Sequence, residues 1–101
     1  CQVWGEQSHS MLQSVTLGRD VQVLGSHTDA YGRLLAHIFF QGHDVGAWMV
    51  LHGYAWSYAF KSHRGLYDAE QLLAQSTQTG LFGHTAAMQP RFFRRRFGNC
   101  P

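Results

Sequence analysis

In the stretch His27–Phe40, HTDAYGRLLAHIFF, one arginine stands at the mouth of a segment that is otherwise almost unbroken in its apolar character. A guanidinium grips a phosphate or carboxylate through paired N–H donors, so Arg33 has two uses open to it. It can clamp a phosphate, or it can pair with Asp29, Asp44 or a partner chain. Asp29 and Asp44 themselves read as turn formers, because short carboxylates hydrogen-bond backbone N–H groups nearby. Tyr31, two residues before Arg33, and Tyr58 downstream are aromatic neighbours for a nucleotide or packing residues. A second concentration of chemistry is RFFRRRF, residues 91–97. There Arg94 and Arg95 with their neighbours suit phosphates, while Phe92, Phe93 and Phe97 suit base stacking. The alternative is that these phenylalanines dock on the core and the arginines are solvated.

Metal chemistry finds little support. The seven histidines, His9, His27, His37, His43, His52, His63 and His84, show no pairing at ligand spacing, and neither HExxH nor Cys-x-x-Cys occurs. No zinc site is expected. Cys1 and Cys100 lie at opposite ends, where a bridge is feasible but a disulfide framework is not implied.

The elements that must position these groups fit one small domain. The chain has 101 residues, 45% of them hydrophobic and 14% charged, a composition that folds rather than staying disordered. No apolar run is long enough to span a bilayer, and no membrane partner is expected. The net charge of +2 is modest, but half of the eight basic residues fall between Arg91 and Arg96.

Trp4, Ser8, Met11, Leu12 and Val15 share one face of a helix that Gly18 would stop. VQVLG alternates with period two and predicts a strand, with Gly25–Ala30 as a polar connector to a second strand over Arg33–Phe40. Both faces of that second strand are apolar, which predicts that both are covered. Gln41–Asp44 turns the chain, and GAWMVLH predicts a short helix ending at Gly53. LYDAEQLLAQSTQT predicts another, with Leu66, Ala69, Leu73 and Thr77 as its stripe and Gly80 as its stop. The residues after His84 read as a tail. Two or three strands are thin for a sheet that stands alone.

The ordered set Asp29-x-Tyr31-Gly32-Arg33, Gly42, Val45, Val50, Gly53, Ala55, then Glu70–Ala74, Gly80-Leu81-Phe82 and Pro90, resembles the staphylococcal nuclease (thermonuclease) family over residues 2 to 96. The resemblance implies an OB-type barrel of five strands and three helices, and Ca²⁺-dependent cleavage of DNA and RNA. It implies that Arg33 is the phosphate-clamping arginine and that Tyr31 and Tyr58 stand at the nucleotide pocket. In the family, the metal aspartates, the catalytic glutamate and a second arginine precede the helix that begins here near Trp4. The segment carrying them has no match in these residues, and Glu6 matches a helix-surface position. VGAWMVLHG also departs from the family by placing Gly46 where asparagine is usual and by adding Trp48 and Leu51.

The expectation is therefore an α+β fold: a partial OB-fold with a β-hairpin, a short sheet and three helices, completed by self-association. Residues 1–83 are the truncated domain and 84–101 a basic, aromatic segment packing on it. The expected function is a nuclease-derived, non-catalytic module that forms a homodimer or higher homo-oligomer through Trp48, Leu51 and Phe39. DNA or RNA binding would use Tyr31, Tyr58, Arg94 and Arg95. No cofactor is expected in this chain, with Ca²⁺ bound only if the preceding family segment is present. The alternative is an active Ca²⁺-dependent nuclease of which this is one part.

Overall fold

A computed structural model describes residues 2, 4–57, 66–84 and 87–98. The elements run α1 (Gly5–Thr16), β1 (Gln22–Thr28), β2 (Leu34–Phe40), β3 (His43–Asp44), α2 (Val45–Leu51), α3 (Asp68–Ser76), a 3₁₀ turn (Gly80–Gly83) and α4 (Pro90–Phe97). Helices thus combine with an antiparallel sheet of order β1-β2-β3. No helix among the described residues is long and apolar enough to cross a membrane.

Helix α1 ends as its sequence predicts. The Leu17 N–H donates to the Gln13 carbonyl at 2.9 Å, and Gly18 follows in the left-handed region at φ 71°. Strand β1 is longer than its apolar part. Gly25–Thr28, expected as connector, continues the ladder through a bulge between Gly25 and His27. The polar composition misleads because ladder bonds are made by backbone, and the extra residue of a bulge breaks period-two alternation. Gly25 has a packing reason: a Cβ there would come within 2.9 Å of the Leu34 side chain across the strands.

The β2–β3 connection is a two-residue loop, Gln41-Gly42, with φ of 51° and 78°. Two positive φ values are the tight-hairpin conformation that matches strand twist. Asp44 then caps α2 by accepting from the Ala47 N–H at 3.1 Å.

The core lies where α2 meets α3 and the 3₁₀ turn. Val45, Met49, Val50, Ala74 and Leu81 are its buried apolar residues. Gly53 and Gly80 close the junction. Both have positive φ, at 75° and 56°, and a Cβ on either would run into the backbone of the other segment. The approach lets the Leu81 N–H reach the Gly53 carbonyl at 2.8 Å.

Three sequence expectations are overturned here. The stripe Leu66, Ala69, Leu73 and Thr77 faces solvent, and α3 instead turns Tyr67, Gln71 and Ala74 inward. Tyr67 and Gln71 are drawn in by hydrogen bonds, and small Ala74, 1% exposed, allows α2 to approach. Within the single chain the faces of β2 are also not both covered by the described residues: Leu34 is 58% exposed, and Leu35 and Ile38 are each 38% exposed. The final segment is not a plain tail, since Pro90 opens a helix that Gly98, at φ 83°, ends. Tyr58, expected as a nucleotide contact, and Cys1 and Cys100, weighed as a bridge, lie outside the described residues.

Candidate nucleic-acid interface

The tip of the β1–β2 hairpin is built around Asp29. Its Oδ1 accepts from the Tyr31 N–H at 2.8 Å and the Arg33 N–H at 2.9 Å, while its Oδ2 accepts from Arg33 Nε at 2.8 Å. Backbone bonds from Asp29 N to the Arg33 carbonyl and from Gly32 N to the Asp29 carbonyl close the loop, with Gly32 at φ 79°. The Arg33 backbone N–H is the chief cause holding the Asp29 carboxyl below the usual carboxylate range, aided by the Tyr31 N–H and the guanidinium against an opposing effect of burial.

Arg33 thus takes the Asp29 pairing that was one of its two open uses. It nevertheless stays available, because its side chain is 73% exposed and only Nε is committed to Asp29. Its guanidinium carbon lies 5.1 Å from the ring centroid of Tyr31, which is itself 83% exposed. The structure brings these two candidate residues together as an outward-facing pair of cation and aromatic ring.

Arg94 and Arg95 stand on α4, exposed, on a helix with no buried residue. Of the three residues expected at an interface, Leu51 is 38% exposed, whereas Trp48 and Phe39 are half-buried. Trp48 stacks on Tyr54 with centroids 6.1 Å apart and lies 4.5 Å from the His52 ring, and Phe39 stacks on His37 at 6.2 Å. Trp48 also lines an apolar cavity of about 190 Å³ with Val15, Phe40, Val45 and the β2–β3 turn.

Sequence reasoning missed a polar cluster that joins β2, β3 and α3. The Tyr67 hydroxyl lies 3.0 and 2.9 Å from the two Asp44 oxygens and 2.8 Å from His37 Nδ1. His37 Nδ1 also lies 3.2 Å from Asp44 Oδ2. One hydroxyl proton serves Asp44, so the Tyr67 oxygen accepts from His37 Nδ1–H. Burial pushes the Asp44 carboxyl up, but the Ala47 N–H, the Tyr67 hydroxyl and His37 outweigh it and hold it below the usual range. Burial pushes the Tyr67 hydroxyl far up, and the charge and hydrogen bond of Asp44 add to it. No spacing rule links positions 37, 44 and 67; only the chain path unites them.

Among the described residues, no three of His, Cys, Asp and Glu converge in a way that would hold a metal ion. Asp29 and Asp44 are each saturated by local donors. These described residues do not fit a calcium site by themselves.

A family model described as "Staphylococcal nuclease homologue" matches residues 1–83. An "Uncharacterized endonuclease" of Haemophilus influenzae is 30% identical over 95 residues, covering 94% of this chain and 53% of that protein. "Protein ParB" of Escherichia coli is 32% identical over 111 residues, covering 97% of this chain and 62% of that protein. An "Uncharacterized endonuclease" of Escherichia coli O157:H7 is 29% identical over 96 residues, covering 94% and 63%. The chain therefore spans between about half and about three-fifths of the length of these relatives.

Proposed function

The chain belongs to the staphylococcal nuclease homologue family, and from that membership we propose that it is a nuclease-related module that engages the phosphodiester backbone of DNA or RNA through its hairpin tip. Arg33 is the phosphate-contacting residue and Tyr31 its aromatic neighbour. The observation that carries this reading is that Arg33 is oriented by Asp29 through Nε while remaining 73% exposed. A guanidinium already held in place loses less side-chain freedom when a phosphate arrives. Hydrolysis by these 101 residues alone is not part of the reading. Phosphodiester cleavage needs a metal or general base beside the clamp, and one arginine supplies neither.

The finer architecture belongs to the same proposal. The sheet is a partial OB-type barrel, and a second copy of the chain completes it in a homodimer. In support, Val23, Leu24 and Leu34 are 55%, 63% and 58% exposed on a three-stranded sheet, a concentration of apolar surface that marks interaction faces. Light scattering on dilute protein tests this part, and a monomer with a cooperative melt counts against it.

The main test is cleavage of denatured DNA with Ca²⁺, and binding of the same DNA, by the chain and by Arg33→Ala. We expect no cleavage by either and about tenfold weaker binding in the variant, the loss of one charge-assisted contact. Cleavage by the parent that disappears in the variant would overturn the non-catalytic part. Equal binding by the two would overturn the role of the hairpin.

A second reading has its own support, the coverage of only 53–63% of relatives of which two are named endonucleases. Within a protein of that length, Arg33 is the phosphate clamp of a Ca²⁺-dependent nuclease whose metal carboxylates lie outside these residues. The same assay on a protein of the relatives' length decides it.

A further inference from the structure

We propose that α4 is a second polynucleotide contact, separate from the hairpin, which holds the phosphate backbone of DNA or RNA electrostatically and without regard to base sequence. The starting point is the distribution of charge. All six acidic residues lie at or before Glu70, whereas Arg91, Arg94, Arg95 and Arg96 are half of the eight basic residues. The chain is therefore acidic overall up to Gln89 and carries four positive charges with no acid beyond it. This helix also lies outside residues 1–83, the part that the family model matches.

Local structure keeps those charges on display. Pro90 opens the helix, and the Gly98 N–H closes it on the Arg94 carbonyl at 2.8 Å. The base of the helix is pinned, because the Gln2 amide donates to the Met88 carbonyl at 2.9 Å and accepts from the Met88 N–H at 3.2 Å. The helix itself stays open: none of its residues is buried, and all four arginines are exposed. Among the described residues no carboxylate pairs with any of them. Arg91 and Arg96 lie instead over their own neighbours, Phe92 at 4.6 Å and Phe97 at 5.3 Å.

The helix dipole does not account for this charge. A cation in the last turn gains only modestly from it, which suits one or two arginines but leaves four to repel one another. A dense row of guanidinium groups on a tethered helix is matched by a polymer of phosphates, each able to take a forked pair of hydrogen bonds. A lipid surface is a poorer match. The apolar side of α4 is only Phe92, Phe93 and Phe97, and of these Phe93 is half-buried while Arg91 and Arg96 lie over the rings of Phe92 and Phe97, which leaves little for acyl chains to hold.

The test is binding of a fluorescent single-stranded oligonucleotide by the full chain across a salt series. The parent is compared with a variant carrying Arg91→Gln, Arg94→Gln, Arg95→Gln and Arg96→Gln, with its four-lysine counterpart, and with Arg33→Ala. Each arginine engaged on a single strand contributes about 0.7 to the slope of log affinity against log salt, so the glutamine variant should lose about 2 to 3 units of slope. The lysine version should keep most of that slope, and scrambling the oligonucleotide should change nothing. Because α4 buries nothing, all variants should melt with the parent. An unchanged slope in the glutamine variant overturns the proposal, as does a lysine version that fails to retain it. Tighter binding to phosphatidylserine vesicles than to the oligonucleotide overturns it as well. Arg33→Ala separates this proposal from the hairpin reading: a slope lost only in the α4 variant supports α4 while counting against the hairpin.

Discussion

Around α2 and α3, Val50 is 2% exposed, Ala74 1%, and Met49 and Leu81 6% each, while in the hairpin Val23, Leu24 and Leu34 are 55–63% exposed. The two regions are built from similar residue types. What separates them is closure by backbone and polar groups. The junction is sealed where Gly53 and Gly80 let two backbones touch, and where Tyr67 and Gln71 bring hydrogen-bonding groups inward to Asp44, His37 and the Ser57 N–H. The hairpin has its ladder and its tip, but among the described residues Val23, Leu24 and Leu34 stay largely exposed. Apolar surface alone gathers a core; it takes close approach and satisfied polar groups to make that core a fixed place.

The sharpest way to break the comparison is Gly53→Ala. The methyl group would sit at positive φ and run into the Thr79 backbone, which cannot yield without breaking the Leu81-to-Gly53 bond. We expect a loss of about 3 kcal/mol or more, larger than usual glycine-to-alanine effects because strain and a lost hydrogen bond act together. In a domain of this size that lowers the melting temperature by more than about 12 °C. A melting temperature within a few degrees of the parent would show that the junction is not the closed region described here.

Next in size is Tyr67→Phe, which removes the hydroxyl from Asp44 and His37. A loss of about 1–2 kcal/mol is expected, since the partners stay in place with bonds unmade. The pH dependence has a definite sign. Tyr67 helps to hold the Asp44 carboxyl below the usual range, so its contribution is present above the unfolded carboxylate value of 3.8 and fades as pH falls through the lower folded value. Parent and variant melts should therefore converge in acid and separate above about pH 5. A gap that is constant from pH 2 to 7 would remove Asp44 from the account.

These two sites differ in how far the amino-acid sequence announces them. The stop at Gly53, the turn at Gln41-Gly42 and the pairing of Arg33 with Asp29 all depend on residues near one another in the chain, and all are legible. The strand through Gly25–Thr28 is not, because ladder bonds do not need apolar side chains. The inward face of α3 is misread for a related reason: an apolar stripe is visible as a pattern, whereas Tyr67 and Gln71 point inward to partners 10 to 30 residues away. The helix at α4 hides behind composition, since four arginines in eight residues leave it little apolar weight and only Pro90 and Gly98 mark its ends. Contacts that cross the chain are what a local pattern leaves out.

Asp29→Ala comes third and acts at the tip rather than on the fold. It removes three hydrogen bonds from an exposed loop, so the melt should move less than in Tyr67→Phe. DNA binding should weaken, because Arg33 loses the contact that orients it. Binding that improves would mean that Asp29 competes with phosphate for the guanidinium rather than presenting it.

Smallest in its effect on the single chain is Leu34→Lys. Leu34 is 58% exposed and lies against Gly25, which has no side chain to lose as a partner. An exposed substitution of this kind moves stability by no more than about 0.5 kcal/mol. If a second copy covers the hairpin, the same lysine would be buried opposite an apolar face and would need to find a partner charge. Light scattering should then report a smaller particle than the parent at equal concentration, with the dilute-limit melt unchanged. A large fall in that melt at every concentration would instead show that Leu34 already belongs to the closed core, and the contrast between hairpin and junction would be lost.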